Sequence, residues 1–242
     1  MQALYGILIG LAFALYGYLL GCISFARIIA RAHGVDITAV GSHNPGGTNV
    51  WRTLGWRAGL SCMLLDLAKG FLAAFIPLVL ILFVPGIEAA IGPMAFGGHS
   101  HLTILAAIGG LGAALGHSFP VFYRFKGGKN VMVTCGFIAA VSPVLMLFGL
   151  TCFLIALFVS RRVAVGSLTA AASVILGGVT ITVLTGLQVQ GFQYLGMFLG
   201  NNNYFLFDWL AFLIVLFSAL LVVVRHRSNI EKMVEGEAGK DF

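Results

Sequence analysis

The chain has 242 residues, of which 60% are hydrophobic and only 9% are charged. A water-soluble domain carries about a quarter charged residues, so a water-facing globule is excluded and an integral membrane protein is expected. The net charge of +6 does not require a nucleic-acid partner, because Lys and Arg in membrane proteins collect in cytoplasmic loops.

The expected fold is all-α and polytopic, one membrane-embedded domain over residues 1–242. Apolar spans read at about 3–27, 61–84, 101–119, 131–160, 164–186 and 204–224. The first positive residues, Arg27 and Arg31, follow the opening apolar run. A cleavable signal has its positive residues before that run, so the run reads as a retained helix entering from outside. Cys22, Cys62, Cys135 and Cys152 all lie in apolar stretches without a CxxC pair, and read as small packing residues rather than disulfide or metal partners.

The stretch 131–160 is uncharged throughout. As one helix it would be about 45 Å long, well over the ~30 Å hydrocarbon core. Ser142-Pro143 lies inside it, and Pro breaks a helix interior. Two short helices are therefore expected, at about 131–141 and 144–160. Charge separates the two readings. With the broken pair there are seven spans, the N-terminus outside and the C-terminus inside, and all 14 Lys and Arg fall in inner loops. With a single helix, Arg161, Arg162, Arg225, Arg227, Lys232 and Lys240 would move outside. The positive-inside bias favours seven.

Three polar stretches then share the inner face. The first is "GSHNPGGTNVWR", Gly41–Arg52, with its sequel "LDLAKG", Leu65–Gly70. Asn44-Pro45-Gly46-Gly47 is turn chemistry. Ser42, Thr48 and Asn49 offer neutral hydrogen bonds, and Arg52 offers a fork for phosphate or carboxylate. Asp66 and Lys69 enter the membrane at spacing i, i+3, either as an internal pair or as substrate contacts. The second stretch is "GHSFPVFYRFKGGKN", Gly116–Asn130. In it Lys126 and Lys129 flank Gly127 and Gly128 just before a helix start. That suits a phosphate cradle of backbone N–H groups, a helix N-terminus and two ammonium groups, or simply a flexible basic loop. The third is "RHRSNIEKMVEGE", Arg225–Glu237. On a helix it places His226, Ile230, Met233 and Glu237 on one face with Asn229 beside them. It reads as a surface-lying tail or as a wall of the same site. No metal or cofactor is expected, because the acidic residues are scattered, and no GxSxG elbow is present.

Together, in order and spacing, the three stretches resemble the motifs of the bacterial acyl-phosphate:glycerol-3-phosphate acyltransferases, the PlsY family. The resemblance implies transfer of a fatty acyl group from acyl phosphate to the 1-hydroxyl of sn-glycerol 3-phosphate, at the inner face of the bacterial cytoplasmic membrane. It implies lysophosphatidic acid and phosphate as products, and a soluble enzyme that makes acyl phosphate as a candidate partner. The other glycerol-3-phosphate acyltransferase class is marked by HxxxxD, and none of the six His here has Asp at that spacing. Carried over by position, Ser42, Arg52, His226 and Asn229 would be catalytic. Asn44, Thr48, Asn49, Lys69, Lys126, Gly127, Gly128, Lys129 and Glu237 would bind substrate. Asn130 and Lys232 depart from the family, which commonly has Gly and Arg there.

Acyl phosphate is already activated, so positioning and charge neutralisation can supply much of the acceleration. The hydroxyl proton could go to His226 or to the substrate's own phosphate. The absence of an evident His–carboxylate pair favours the phosphate. The rival reading is a transporter for a phosphorylated metabolite, suggested by the broken helix. Polar clusters confined to one face, and the absence of an internal repeat, oppose it.

Overall fold

The structure, a computed structural model, describes residues 2–84, 86–87, 101–187 and 209–236. The regular structure among them is helical: α1 (Gln2–Gly21), α2 (Phe25–Ala32), α3 (Gly47–Leu54), α4 (Trp56–Phe83), α5 (His101–Ser118), α6 (Val131–Val141), α7 (Pro143–Ser160), α8 (Val163–Gly186), α9 (Trp209–Arg225) and α10 (Arg227–Val234), with a short 3₁₀ turn at Val121–Tyr123. Glu237, Lys240, residues 204–208 of the last expected span and most of the outer segments lie outside the described residues.

Among the described residues, five helical stretches are long and apolar enough to cross a membrane, or six if the bent pair α9–α10 is taken as one span. The break expected at Ser142-Pro143 is present. Ser142 leaves helical geometry at φ −149° and ψ 86°, and Pro143 opens α7, where its missing N–H costs nothing. At 11 residues, α6 is about 16 Å long and too short to cross a ~30 Å core by itself.

The first expected span differs. It is interrupted after Gly21, and α2 starts afresh at Phe25. Ser24 is extended, at φ −96° and ψ 91°. The carbonyl of Ile23, left without a helical donor, accepts instead from Lys69 Nζ at 2.6 Å. The interruption is stabilised by a side chain 46 residues away, which hydropathy cannot report.

Small residues set the helix frame. A Cβ on Gly17 would collide with Gly109 O, and one on Gly21 with Ala113 O. From the other side, Gly112 meets Ala14 O and Gly116 meets Tyr18 O. Two GxxxG stripes thus face each other across α1 and α5, with backbones in contact. The same device joins α4 to α6, where Gly70 lies on Val133 O and Gly136 on Leu67 O. Buried Leu78, Leu105, Phe137, Leu145 and Val215 fill the space among α4, α5, α6, α7 and α9. Lipid offers no hydrophobic drive between helices, so this close approach carries the association. Gly112→Leu is expected to lower the thermal midpoint in detergent sharply, with a cost of about 3 kcal/mol or more from overpacking. Gly186→Leu, where a Cβ meets nothing within 4 Å, is the control. Equal midpoints would show that α1 and α5 part easily.

Candidate active site

The segment leading into α3 is folded by Asn49. Its Nδ2 donates to Ile37 O (3.0 Å) and Val40 O (3.1 Å), and its Oδ1 accepts the Ser42 N–H (3.0 Å). The amide is fully engaged, and Asn49 is 1% exposed. Gly41 turns at φ +60°, and a Cβ there would strike Asn49 Oδ1. Asn49 therefore shapes the loop that carries Ser42. Thr48 and Arg52, at i and i+4 on α3, both line the cavity described below.

The loop before α6 is held by two arginines. Arg225 donates to Gly127 O at 2.7 Å and Gly128 O at 3.1 Å. Arg27 donates to Lys126 O at 2.9 Å and lies 4.6 Å over the Tyr123 ring. The Gly128 N–H donates to His117 O at 3.0 Å. The Gly128 donor is thus used internally, and the carbonyls of the pair are held by Arg225. The glycines are required by packing, since a Cβ on Gly127 meets His117 O and one on Gly128 meets His117 Nε2. Lys126 is exposed and does not line the cavity. Lys129 does, and donates to Asn229 Oδ1 at 2.7 Å. Asn130 stands at φ +69°, in the left-handed region that Gly and Asn tolerate best. The departure from the family's Gly is therefore compatible with the same backbone.

These parts enclose a cavity of about 360 Å³. Its lining includes the starts of three helices: Gly47 and Thr48 of α3, Val131 and Met132 of α6, and Val163 and Ala164 of α8. Arg52, Lys129, Arg162 and Lys232 contribute full positive charges, and Ser42, Asn44, Asn130, His226 and Asn229 contribute neutral polar groups. Helix N-termini and cations together favour an anion. Among the described residues Asp66 is the one carboxylate in the lining, and Lys69 Nζ sits 2.8 Å from its Oδ1.

A second cavity, of about 250 Å³, lies between α6, α7, α8 and α9. Its walls are almost wholly apolar, with Cys135, Ile138, Met146, Leu150 and Val174 among them. It shares Val131, Met132, Phe153 and Ser167 with the polar cavity. The two adjoin along that seam. A ligand with an anionic head and a long apolar tail would occupy both.

Residues 11–236 match the family model described as glycerol-3-phosphate acyltransferase. The chain belongs to that family. A glycerol-3-phosphate acyltransferase of Salinibacter ruber is 37% identical over 223 residues, covering 92% of this chain and 88% of the relative. One from Aquifex aeolicus is 34% identical over 222 residues, covering 92% and 94%. Two crystal structures of PlsY, an integral membrane glycerol 3-phosphate acyltransferase, match along 96% of this chain and 94% of theirs. The glycerol 3-phosphate form is 32% identical with a TM-score of 0.71, and the lysophosphatidic acid form 31% with 0.70. The chain is thus an integral membrane acyltransferase.

Against the residues expected of this family, Ser42, Asn44, Thr48, Asn49, Arg52, Lys129, His226 and Asn229 line one cavity. Gly127, Gly128 and Lys69 stand behind its wall, Lys126 points away, and Glu237 lies outside the described residues. His226 Nδ1 donates to Val222 O at 2.8 Å, which leaves Nε2 with its lone pair. Sequence reasoning missed Arg162 and Ser167, and gave Arg225 no part in the site. Arg161-Arg162 registered only as topology-setting charge. The available signal was their place at the tight turn between α7 and α8, on the same face as the three motifs.

Burial, and the nearby charges of Arg52, Arg225 and Lys232, push Lys129 down to about 8. The sign follows directly: the ammonium is present at pH 7 and is lost as pH rises through 8. The positive charge at the site falls with it. kcat/KM should drop about tenfold between pH 7 and 9, because that ratio reports free-enzyme ionisations. Lys129→Arg should flatten this alkaline limb, and pH-rate profiles of the two proteins check it.

Proposed function

We propose that the chain transfers a fatty acyl group from acyl phosphate to the 1-hydroxyl of sn-glycerol 3-phosphate, releasing lysophosphatidic acid and phosphate in the first acylation of phospholipid synthesis. The observation that carries this reading is the junction of the cationic cavity with the apolar groove along Val131, Met132, Phe153 and Ser167. Acyl phosphate has that shape, an anionic head on a long tail. Glycerol 3-phosphate, small and wholly polar, needs only the cationic part.

In this reading the 1-hydroxyl oxygen attacks the acyl carbonyl carbon. The bond from that carbon to the phosphate oxygen breaks, and phosphate departs with the electron pair. Arg52 and Lys129 stabilise the charge gathering on it. Ser42 and Asn229 orient substrate oxygens, with Asn44 and Thr48 beside them. The hydroxyl proton passes to an oxygen of the departing phosphate. His226 Nε2 is the other possible acceptor, but its Nδ1 partner is a backbone carbonyl rather than a carboxylate.

The molecule forms a single domain with seven spans, the N-terminus outside and the C-terminus inside, in the bacterial cytoplasmic membrane. The cavity supports this. It collects the end of α5, the start of α6, Arg162 in the turn after α7 and the start of α8, as expected if successive helices run in alternating directions. The site then opens to the cytoplasm. The broken pair α6–α7, which suggested a transporter, supplies the helix start and groove wall that this reading uses.

Purified protein supplied with acyl phosphate and glycerol 3-phosphate should release lysophosphatidic acid and phosphate in equal amounts. No product in either detergent or lipid would overturn the proposal.

A further inference from the structure

Behind the cavity lies a buried polar group that the transfer step above does not use. Lys69 is 2% exposed. Its Nζ reaches three partners: Ile23 O at 2.6 Å, Asp66 Oδ1 at 2.8 Å and His117 Nδ1 at 2.9 Å. An ammonium has three donors and no acceptor; here it bonds Ile23 O and His117 Nδ1, with the Asp66 carboxylate beside it. Toward Lys69, the imidazole nitrogen must accept. Nδ1 of His117 is then unprotonated, and the single ring proton lies on Nε2.

His117 ends α5 and itself lines the cavity. Its Nε2 edge lies against Gly128 closely enough that a Cβ there would collide with it, and Pro45 O is 3.1 Å from that same point. The backbones of the first and second motif loops therefore close on the protonated edge of this ring. We infer that His117 is a neutral Nε2–H hydrogen-bond donor to the anionic oxygen bound in the cavity, with Lys69 and Asp66 as positioning residues that set its tautomer. This rests on the acyl-transfer reading of the site. It also gives Lys69 a different part from the substrate contact expected of it: Lys69 acts through the ring.

The test has two arms. In the first, the full chain is labelled with ¹⁵N-histidine in detergent, and His117 is assigned by its loss in His117→Gln. The expected spectrum has His117 protonated on Nε2 and bare on Nδ1, and Lys69→Met erases that preference. A wild-type ring protonated on Nδ1 would overturn the inference, as would a Lys69→Met spectrum unchanged from wild type. In the second arm, kcat/KM is compared for two replacements of similar polarity. His117→Gln places an amide N–H near the Nε2 position and keeps activity within a few-fold of wild type. His117→Asn, whose amide reaches only the Nδ1 position, loses about ten- to hundredfold, the range for a lost hydrogen bond to a charged group. Equal losses in both would refute a donor role. If the wild-type protein makes no lysophosphatidic acid, the acyl-transfer reading falls while the tautomer measurement still stands.

Discussion

Arg52→Ala should reduce kcat by at least about a hundred- to a thousandfold, the range for removing one donor aimed at developing charge. Arg52 stands one turn beyond Thr48 on α3. Both line the cavity that also receives Lys129 and the start of α6. A guanidinium presents two parallel donors to a phosphate, and its contribution grows as the bridging bond breaks and charge moves to the leaving group. Arg52→Lys keeps the charge but loses the fork, so it should recover only part of the rate. The His226→Gln variant locates the proton. If the leaving phosphate takes it, His226→Gln keeps most of kcat while Arg52→Ala is nearly dead. A large kcat loss in His226→Gln with normal KM for both substrates would make His226 the base. Single-turnover rates measured with both substrates saturating distinguish the cases.

Gly128→Ala should be nearly as damaging for a different reason, lowering kcat/KM by about a hundredfold. The added methyl would collide with His117 Nε2. The loop has no easy retreat, because Arg225 holds the carbonyls of Gly127 and Gly128 and the Gly128 N–H is tied to His117 O. The displacement therefore passes to Lys129 and the first turn of α6. A shift of about 1 Å in a positioning group can cost a hundredfold in rate. Arg52→Ala removes a charge, whereas Gly128→Ala keeps every charge and moves the frame. Thermal unfolding checks the displaced frame: Gly128→Ala should melt earlier than wild type. Near-normal kcat/KM in Gly128→Ala would mean that the loop is far more compliant than its contacts imply.

What could be read in the amino-acid order follows the range of the forces involved. Pro143 disrupts a helix through its own ring, and the break stands where that chemistry puts it. Lys129 and Arg52 were legible because a cation beside glycines and a turn has few other uses in so apolar a chain. Lys126 has the same chemistry and points elsewhere. Its direction is set by Arg124 and Phe125, both at positive φ, and by Arg27 capturing its carbonyl. Asn49 was recognised as polar and loop-bound, but its three bonds reach Ile37, Val40 and Ser42 and shape the backbone. Lys69 and Asp66 were read either as an internal pair or as substrate contacts, and the structure pairs them. The third member, His117, lies 48 positions from Lys69 and becomes a neighbour only once α4 and α5 pack. The break after Gly21 has the same origin, a lysine distant in the chain capping a helix end.

The seam of Val131, Met132, Phe153 and Ser167 has one more consequence. The protein carries its own boundary between water and oil, built from side chains and independent of where the bilayer surface happens to lie. A lipid substrate drawn into it has its reactive carbon located by protein walls, at a depth that thinning or thickening of the surrounding membrane does not reset. The enzyme can therefore supply the very lipids that change its membrane's thickness without losing alignment of its own chemistry.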